Sequence, residues 1–138
     1  MGFAAAPLRR ALLTASLALA PASAALACTP GDEACPVALK MSPGATSIVA
    51  HGSVSGARPD AYFKFAARAG QKLTIHIVGG DIKTGPGIPI AFPNGSGDAV
   101  DVDTPYALPA TGDYVILLHA NTMSDGPFGP FVLTLRID

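Results

Sequence analysis

A chain of 138 residues with a formal charge of −1 is long enough for one domain and lacks the clustered basic excess of a nucleic-acid binder. Fifteen glycines, thirteen prolines and only 14% charged side chains suit many short strands and turns. The two cysteines, Cys28 and Cys35, are spaced unlike a redox or zinc motif, and no cofactor signature is present.

Residues 1–27 read as an export signal rather than as fold. Arg9 and Arg10 form a positive n-region, residues 11–20 (ALLTASLALA) an apolar core, and Ala25-Leu26-Ala27 a cleavage site before Cys28. A second site, Ala22-Ser23-Ala24, lies three residues earlier. The apolar run is too short to span a membrane, and nothing later replaces it. Two variants of export stay open. Leu8 stands where a twin-arginine signal would carry Ser or Thr, and Ala25 stands where a lipoprotein signal, with lipid on Cys28, would carry Leu. The protein is therefore expected in the periplasm or secreted. Cleavage removes Arg9 and Arg10, leaving seven basic against ten acidic side chains, a formal charge of −3.

In an oxidising compartment Cys28 and Cys35 are expected to pair and to staple residues 28–45 ahead of a domain at 46–138. With lipid on Cys28, Cys35 would be free. Residues 46–54 then read as a strand interrupted by Gly52, and Pro59 makes 56–59 a loop. Residues 60–77 (DAYFKFAARAGQKLTIHI) alternate with a period of two on both sides of Ala69-Gly70-Gln71, which predicts a central hairpin. The Gly-rich stretch 79–87 is a long loop. Ile88, Ile90 and Phe92 alternate, and Pro89 confines them to an edge or a very short strand. Residues 94–97 are a turn. Val100 and Val102 alternate with Asp101 and Asp103, which predicts a strand with one acidic face. A turn at 106–114 opens into a strand through His119, 121–130 is a third long loop, and 131–137 is the last strand. The expected core is Phe63, Phe65, Leu73, Ile75, Ile77, Tyr114, Ile116, Leu118, Phe131, Leu133, Leu135 and Ile137. Roughly eight short strands with turns between them predict an all-β fold, an antiparallel, jelly-roll-like β-sandwich.

Chemistry-bearing residues are few. Asn94, Asp98, Asp101 and Asp103 offer oxygen ligands of the kind a calcium ion takes, without the spacing of an EF-hand. His51, His76 and His119 fall on three separate strands, where solvated histidines are ordinary. Ser96 lacks the strand-elbow-helix setting of a nucleophile, and no carboxylate pair is placed together. These patterns point away from an enzyme.

Phe63-x-Phe65 followed by Ala69-Gly70-Gln71-Lys72-Leu73 resembles the second strand, turn and third strand of pre-peptidase C-terminal domains. Leu108-Pro109-Ala110-Thr111-Gly112-Asp113-Tyr114 and the run 131–137 resemble their penultimate turn and closing strand. The likeness spans about residues 50–138. A stand-alone exported version of such a domain is similar to the periplasmic inhibitors of g-type lysozyme. That resemblance implies a non-enzymatic β-sandwich whose surface loops block a lysozyme or another cell-wall-active protein. It places a contact tyrosine after Gly56, where this chain has Ala57 and Arg58. It also places contact arginines in the last long loop, where 121–130 has no Arg or Lys. Cationic reach into an acidic cleft would then fall to Arg58 and Lys83, with Asn121, Ser124 and Asp125 as the polar groups of the third loop. The alternative is a carbohydrate- or matrix-binding accessory module of the envelope, which would want an exposed aromatic platform; a purely structural envelope protein is a third reading.

Overall fold

The computed structural model describes residues 28–138 together with Gly2; the expected export signal at 1–27 lies, Gly2 apart, outside the described residues. Nine strands follow one another: β1 (Val37–Leu39), β2 (Ser47–Ser53), β3 (Asp60–Ala67), β4 (Lys72–Gly79), β5 (Ile88–Ala91), β6 (Gly97–Val100), β7 (Tyr106–Ala107), β8 (Gly112–His119) and β9 (Pro130–Ile137). They form a five-stranded sheet in the order β1-β3-β8-β5-β6 and a four-stranded sheet in the order β2-β9-β4-β7. All pairings are antiparallel except β1 with β3. The all-β sandwich is the expected one. Its additional strand, β1, is too short for alternation to reveal, and it joins the stapled segment 28–45 to the five-stranded sheet.

Period-two alternation carries the core. Along β9, Phe131, Leu133, Leu135 and Ile137 are buried, while Val132 and Thr134 between them are half-buried and Arg136 is exposed. Each fully buried aliphatic side chain of this kind stabilises the fold by roughly 1.5–3 kcal/mol, so a one-residue slip of register would be costly. Every expected core residue except Ile77 is buried. Ile77 is half-buried because β7 pairs with β4 only at Lys72 and Leu73, which leaves the far end of β4 as a sheet edge. Val54, Ile82, Ile88, Ile90, Val100, Leu108 and Ala120 complete the core from shorter elements and strand ends.

Tyr114 anchors the turn at 109–113. Its ring is fully buried and stacked on Phe65 at 5.6 Å. Its hydroxyl donates to the Ala110 carbonyl at 2.5 Å and accepts from the Ala110 N–H at 3.0 Å. A buried phenol thus satisfies both polar functions on a backbone corner, as in other sandwich folds.

Two expectations are corrected. β3 and β4 are not a hairpin: β3 pairs over its full length with β8, and β4 pairs with β9 in the opposite sheet. The turn itself exists, with Gly70 at φ 88° and its N–H donating to the Leu108 carbonyl at 2.8 Å. Alternation shows which side chains share a face of each strand. It is silent on whether two inward faces lie side by side in one sheet or opposed across a core. Asp101 and Asp103, in turn, lie beyond β6 rather than on an acidic strand. The β5–β6 turn closes when Phe92 N–H donates to Ser96 at 2.7 Å, and this sets the paired stretch at 97–100. Residues 101–105 then cross to the other sheet. There Asp103, at φ 58°, donates its N–H to the Ile75 carbonyl at 2.8 Å.

Candidate functional site: the loop end of the sandwich

The strand registers decide which loops meet. Ser53 lies opposite Pro130, Gly79 opposite Phe131, and Asp60 opposite His119. The connections 54–59, 80–87 and 120–129 therefore emerge at one end of the sandwich. The stapled loop joins them, since Tyr62 N–H donates to the Gly31 carbonyl at 2.9 Å. Cys28 and Cys35 are disulfide-bonded, with Cα atoms 5.5 Å apart, and neither is left as a free thiol for lipid.

Backbone bonds tie these loops to one another. Ala120 N–H donates to Pro59 at 2.8 Å, Asn121 N–H to Asp81 at 2.8 Å, Lys83 N–H to His119 at 2.7 Å, and Val54 N–H to Gly129 at 3.0 Å. Asp81 is the hub. It adopts φ 49°, a sparsely populated conformation for a residue with a Cβ, and its carboxylate accepts from the Ser124 hydroxyl. Ser124 Oγ in turn accepts from the Gly126 N–H at 3.0 Å. The outcome is a braced third loop with Met123 at its tip, 94% exposed.

The charges at this end are mixed. The Arg58 guanidinium donates to the Asp32 carboxylate at 2.6 Å, linking loop 54–59 to the disulfide loop. Both side chains are about half exposed, so the pair contributes little, of the order of 0–1 kcal/mol. Lys83 is exposed and has no ion pair among the described residues. Asp60 and His119 pair across β3 and β8. Glu33 and Asp60, together with partial burial, raise the Tyr62 phenol above its ordinary pKa, with burial the larger cause. Beside Arg58 a cleft of about 390 Å³ opens, floored by Val54, Ala61, Phe63 and Phe131.

Arg58, Lys83, Asn121, Ser124 and Asp125 all lie at this end. Ser124 serves as scaffold through Asp81, as does the Asn121 backbone, whereas Asp125 is exposed and has no side-chain partner among the described residues. Asp32, Asp60, Asp81 and Met123 went unread in the sequence as members of one surface, because only the registers bring them together. The metal candidates are dispersed. Asp98 accepts from the Tyr106 hydroxyl at 2.7 Å and the Ala99 N–H at 2.8 Å, and Asp103 pairs with His76 at 2.7 Å. No group of three or more His, Cys, Asp or Glu side chains is placed to hold a metal ion among the described residues. Ser96 and Asn94 bond to each other within a turn. No aromatic side chain is fully exposed among the described residues, and no helix there is long and apolar enough to cross a membrane.

No family model matches the chain, and no curated protein matches it. Solved structures do match. The chain is similar to Aeromonas hydrophila PliG, a periplasmic lysozyme inhibitor of g-type lysozyme, at 23% identity and a TM-score of 0.57, over 75% of this chain and 96% of that one. It is similar to Salmonella Typhimurium PliG at 18% identity and a TM-score of 0.60, over 75% of this chain and 97% of that one. A mutant of the Escherichia coli PliG matches at 21% identity and a TM-score of 0.58, with the same coverage as the Salmonella protein. At these identities the likeness establishes a shared fold, across nearly the whole of each neighbour.

Proposed function

We propose that the chain is an exported, periplasmic, non-enzymatic binding protein that inhibits a g-type lysozyme by presenting its loop end to the enzyme. The observation that carries this reading is the convergence of three long loops on one braced surface, in a fold that covers almost all of three inhibitors of such enzymes. Binding surfaces are commonly loops held by a rigid scaffold, and a pre-organised loop loses less entropy on docking. The pre-peptidase C-terminal type of sandwich belongs to the same proposal and rests on the sequence motifs at 63–73, 108–114 and 131–137. The recognition groups would be Lys83 and Arg58, with Met123 as an apolar contact and Asn121, Ser124 and Asp125 around it. A polar group left unpaired in a complex is costly, so Asp32 would have to keep its bond to Arg58 or release it to the enzyme. The test is inhibition of g-type lysozyme by the purified protein in a cell-wall lysis assay. Concentration-dependent inhibition supports the reading, and none at micromolar protein overturns it.

A further inference from the structure

Each sheet ends in two edges, and three of the four edge strands are very short: β1 has 3 residues, β6 has 4 and β7 has 2. The fourth, β2, has 7 and is unpaired along its whole outer side, whereas the open stretch of β4 beyond β7 is interrupted by Asp103, whose N–H bonds to the Ile75 carbonyl. Ile137 N–H donates to the Thr46 carbonyl and Val54 N–H to that of Gly129. Because antiparallel bonding alternates, the even-numbered residues of β2 bond to β9. The N–H and C=O groups of Ser47, Val49, His51 and Ser53 therefore point away from the sheet, where no strand lies. Edges of this length are ordinarily blunted by lysine, proline or a bulge. The β2 sequence SIVAHGS has no charged residue and no proline, and its register with β9 runs unbroken. Val49 is 55% exposed. Two clefts adjoin the same strand. One, of about 390 Å³, is lined by Gly52, Val54, Phe63 and Phe131 among others; the second, of about 630 Å³, is lined by Leu39, Met41, Ile48, Phe65 and Ile137 among others. Free backbone groups thus occur beside two clefts, with Leu39, Met41 and Ile48 half-buried along the same edge.

We propose that β2 is a self-association edge, to which β2 of a second copy of this chain adds antiparallel about a two-fold axis through Ala50. About that axis Ser47 meets Ser53 of the second copy and Val49 meets its His51. Every outward-pointing N–H then faces an outward-pointing carbonyl of the second copy. On the inward face Ile48 meets Gly52 of the second copy, where the Phe131 ring fills the place of a side chain, so an aliphatic side chain lies against an aromatic one. Ile48 comes to rest beside that ring and the cleft it lines. No like charges are opposed within the strand pair. A foreign strand could pair with the backbone, but this apolar match is already present in the chain's own sequence. The two four-stranded sheets become one, and the two loop ends point in opposite directions, each left free. The contact is small, a pair of strands about 23 Å long, so association in the tens of micromolar is the expected strength.

The experiment is sedimentation equilibrium of the protein as exported, from about 1 to about 500 µM, with thermal melting run in parallel. The expected result is a monomer–dimer equilibrium that Val49→Lys weakens at least tenfold without moving the melting temperature. Val49→Pro should act alike, since the N–H it deletes makes no bond to β9. Should either variant fail to melt cooperatively, Ser47→Lys, two residues earlier on the same outward side, supplies the same measurement. A monomer throughout the range overturns the proposal, as does a dimer that every soluble edge variant leaves intact. A monomer that pairs β2 only with an added extended peptide also overturns it.

Discussion

Gly52→Ala measures how tightly the core closes beneath β2. An ideal Cβ at Gly52 would sit 2.4 Å from Phe131 Cζ, 2.9 Å from Cε1 and 3.0 Å from Cε2. Ordinary carbon contacts lie near 3.5–4.0 Å, so the ring must retreat by about 1 Å. Phe131 is 1% exposed and meets Phe63 edge-on, with centroids 6.1 Å apart, so a retreat disturbs a packed neighbour. Overpacking of this kind costs about 1–3 kcal/mol, whereas replacing glycine by alanine gains about 0.4–1 kcal/mol from the unfolded chain. The net expectation is a loss of about 1–2 kcal/mol, read as a lower urea midpoint at unchanged slope. Shortening the ring isolates the cause. In a Phe131→Leu background the same substitution should cost less by at least about 0.5 kcal/mol, the coupling expected of residues in contact. Two results refute the reasoning. A neutral or stabilising Gly52→Ala would mean that the ring moves freely into the adjoining cleft. An equal cost in both backgrounds would mean that the ring is not the obstacle.

Lys83→Ala and Arg58→Ala should each weaken lysozyme inhibition at least tenfold while leaving the melting temperature nearly unchanged, because both side chains are exposed and truncating a desolvated charge at an interface costs about 2–5 kcal/mol. Unchanged inhibition constants would remove them from the contact surface. Met123→Asp, at a braced but exposed tip, should likewise raise the inhibition constant without altering stability; an unchanged constant places the tip outside the interface. The Tyr106 hydroxyl donates to Asp98 across the two sheets, which holds Asp98 below its usual carboxylate range and pushes Tyr106 up to about 12. A depressed acid stabilises the fold above its unfolded pKa, near 4, and a raised phenol does so below its own, near 10. The melting-temperature advantage over Tyr106→Phe should therefore be fullest at neutral pH, fade as pH falls below about 4, and fade again as it rises from about 10 towards 12. A difference independent of pH would refute the bond. Intact mass of the exported protein should rise by two hydrogens on reduction, as the Cys28–Cys35 bond requires; an unchanged mass, or lipid on Cys28, would restore the lipoprotein alternative.

The sequence made the faces of the strands legible and left their partners unread. Phe63, Phe65, Leu73 and Ile75 read as inward because alternation is a property of one strand, and they are inward. The step from faces to sheets needs a choice of neighbour. The turn at Gly70 favours a local hairpin, yet β3 gains more by pairing all eight of its residues with β8. The same choice recurs along the chain: every consecutive pair of strands except β5–β6 lies in opposite sheets. Misplacing one arch as a hairpin leaves the list of buried residues almost unchanged, which is why the core was predictable and the topology was not. Asp101 and Asp103 show the opposite limit. There the alternation was real in the sequence, but a tight turn four residues earlier had already fixed where pairing would end.

The loop end was illegible for the same reason, one level up. Loops 56–59, 79–89 and 121–130 are each recognisable by glycine and proline, but nothing local says that they meet. They meet because the strands they join cross from sheet to sheet, so alternate connections fall at the same end. β2, β4 and β8 all finish there, while β3, β5 and β9 all begin there. Asp81 then becomes a hub only because Asn121 and Ser124 arrive beside it from 40 residues or more along the chain. Its strained φ is compensated by those bonds, and a strained residue held by its surroundings is a common mark of a surface kept in one shape. A rigid loop end needs no particular tyrosine or arginine to be pre-organised for docking. It needs the arch topology, and it is the arch topology that this chain shares with its structural neighbours while sharing fewer than a quarter of their residues.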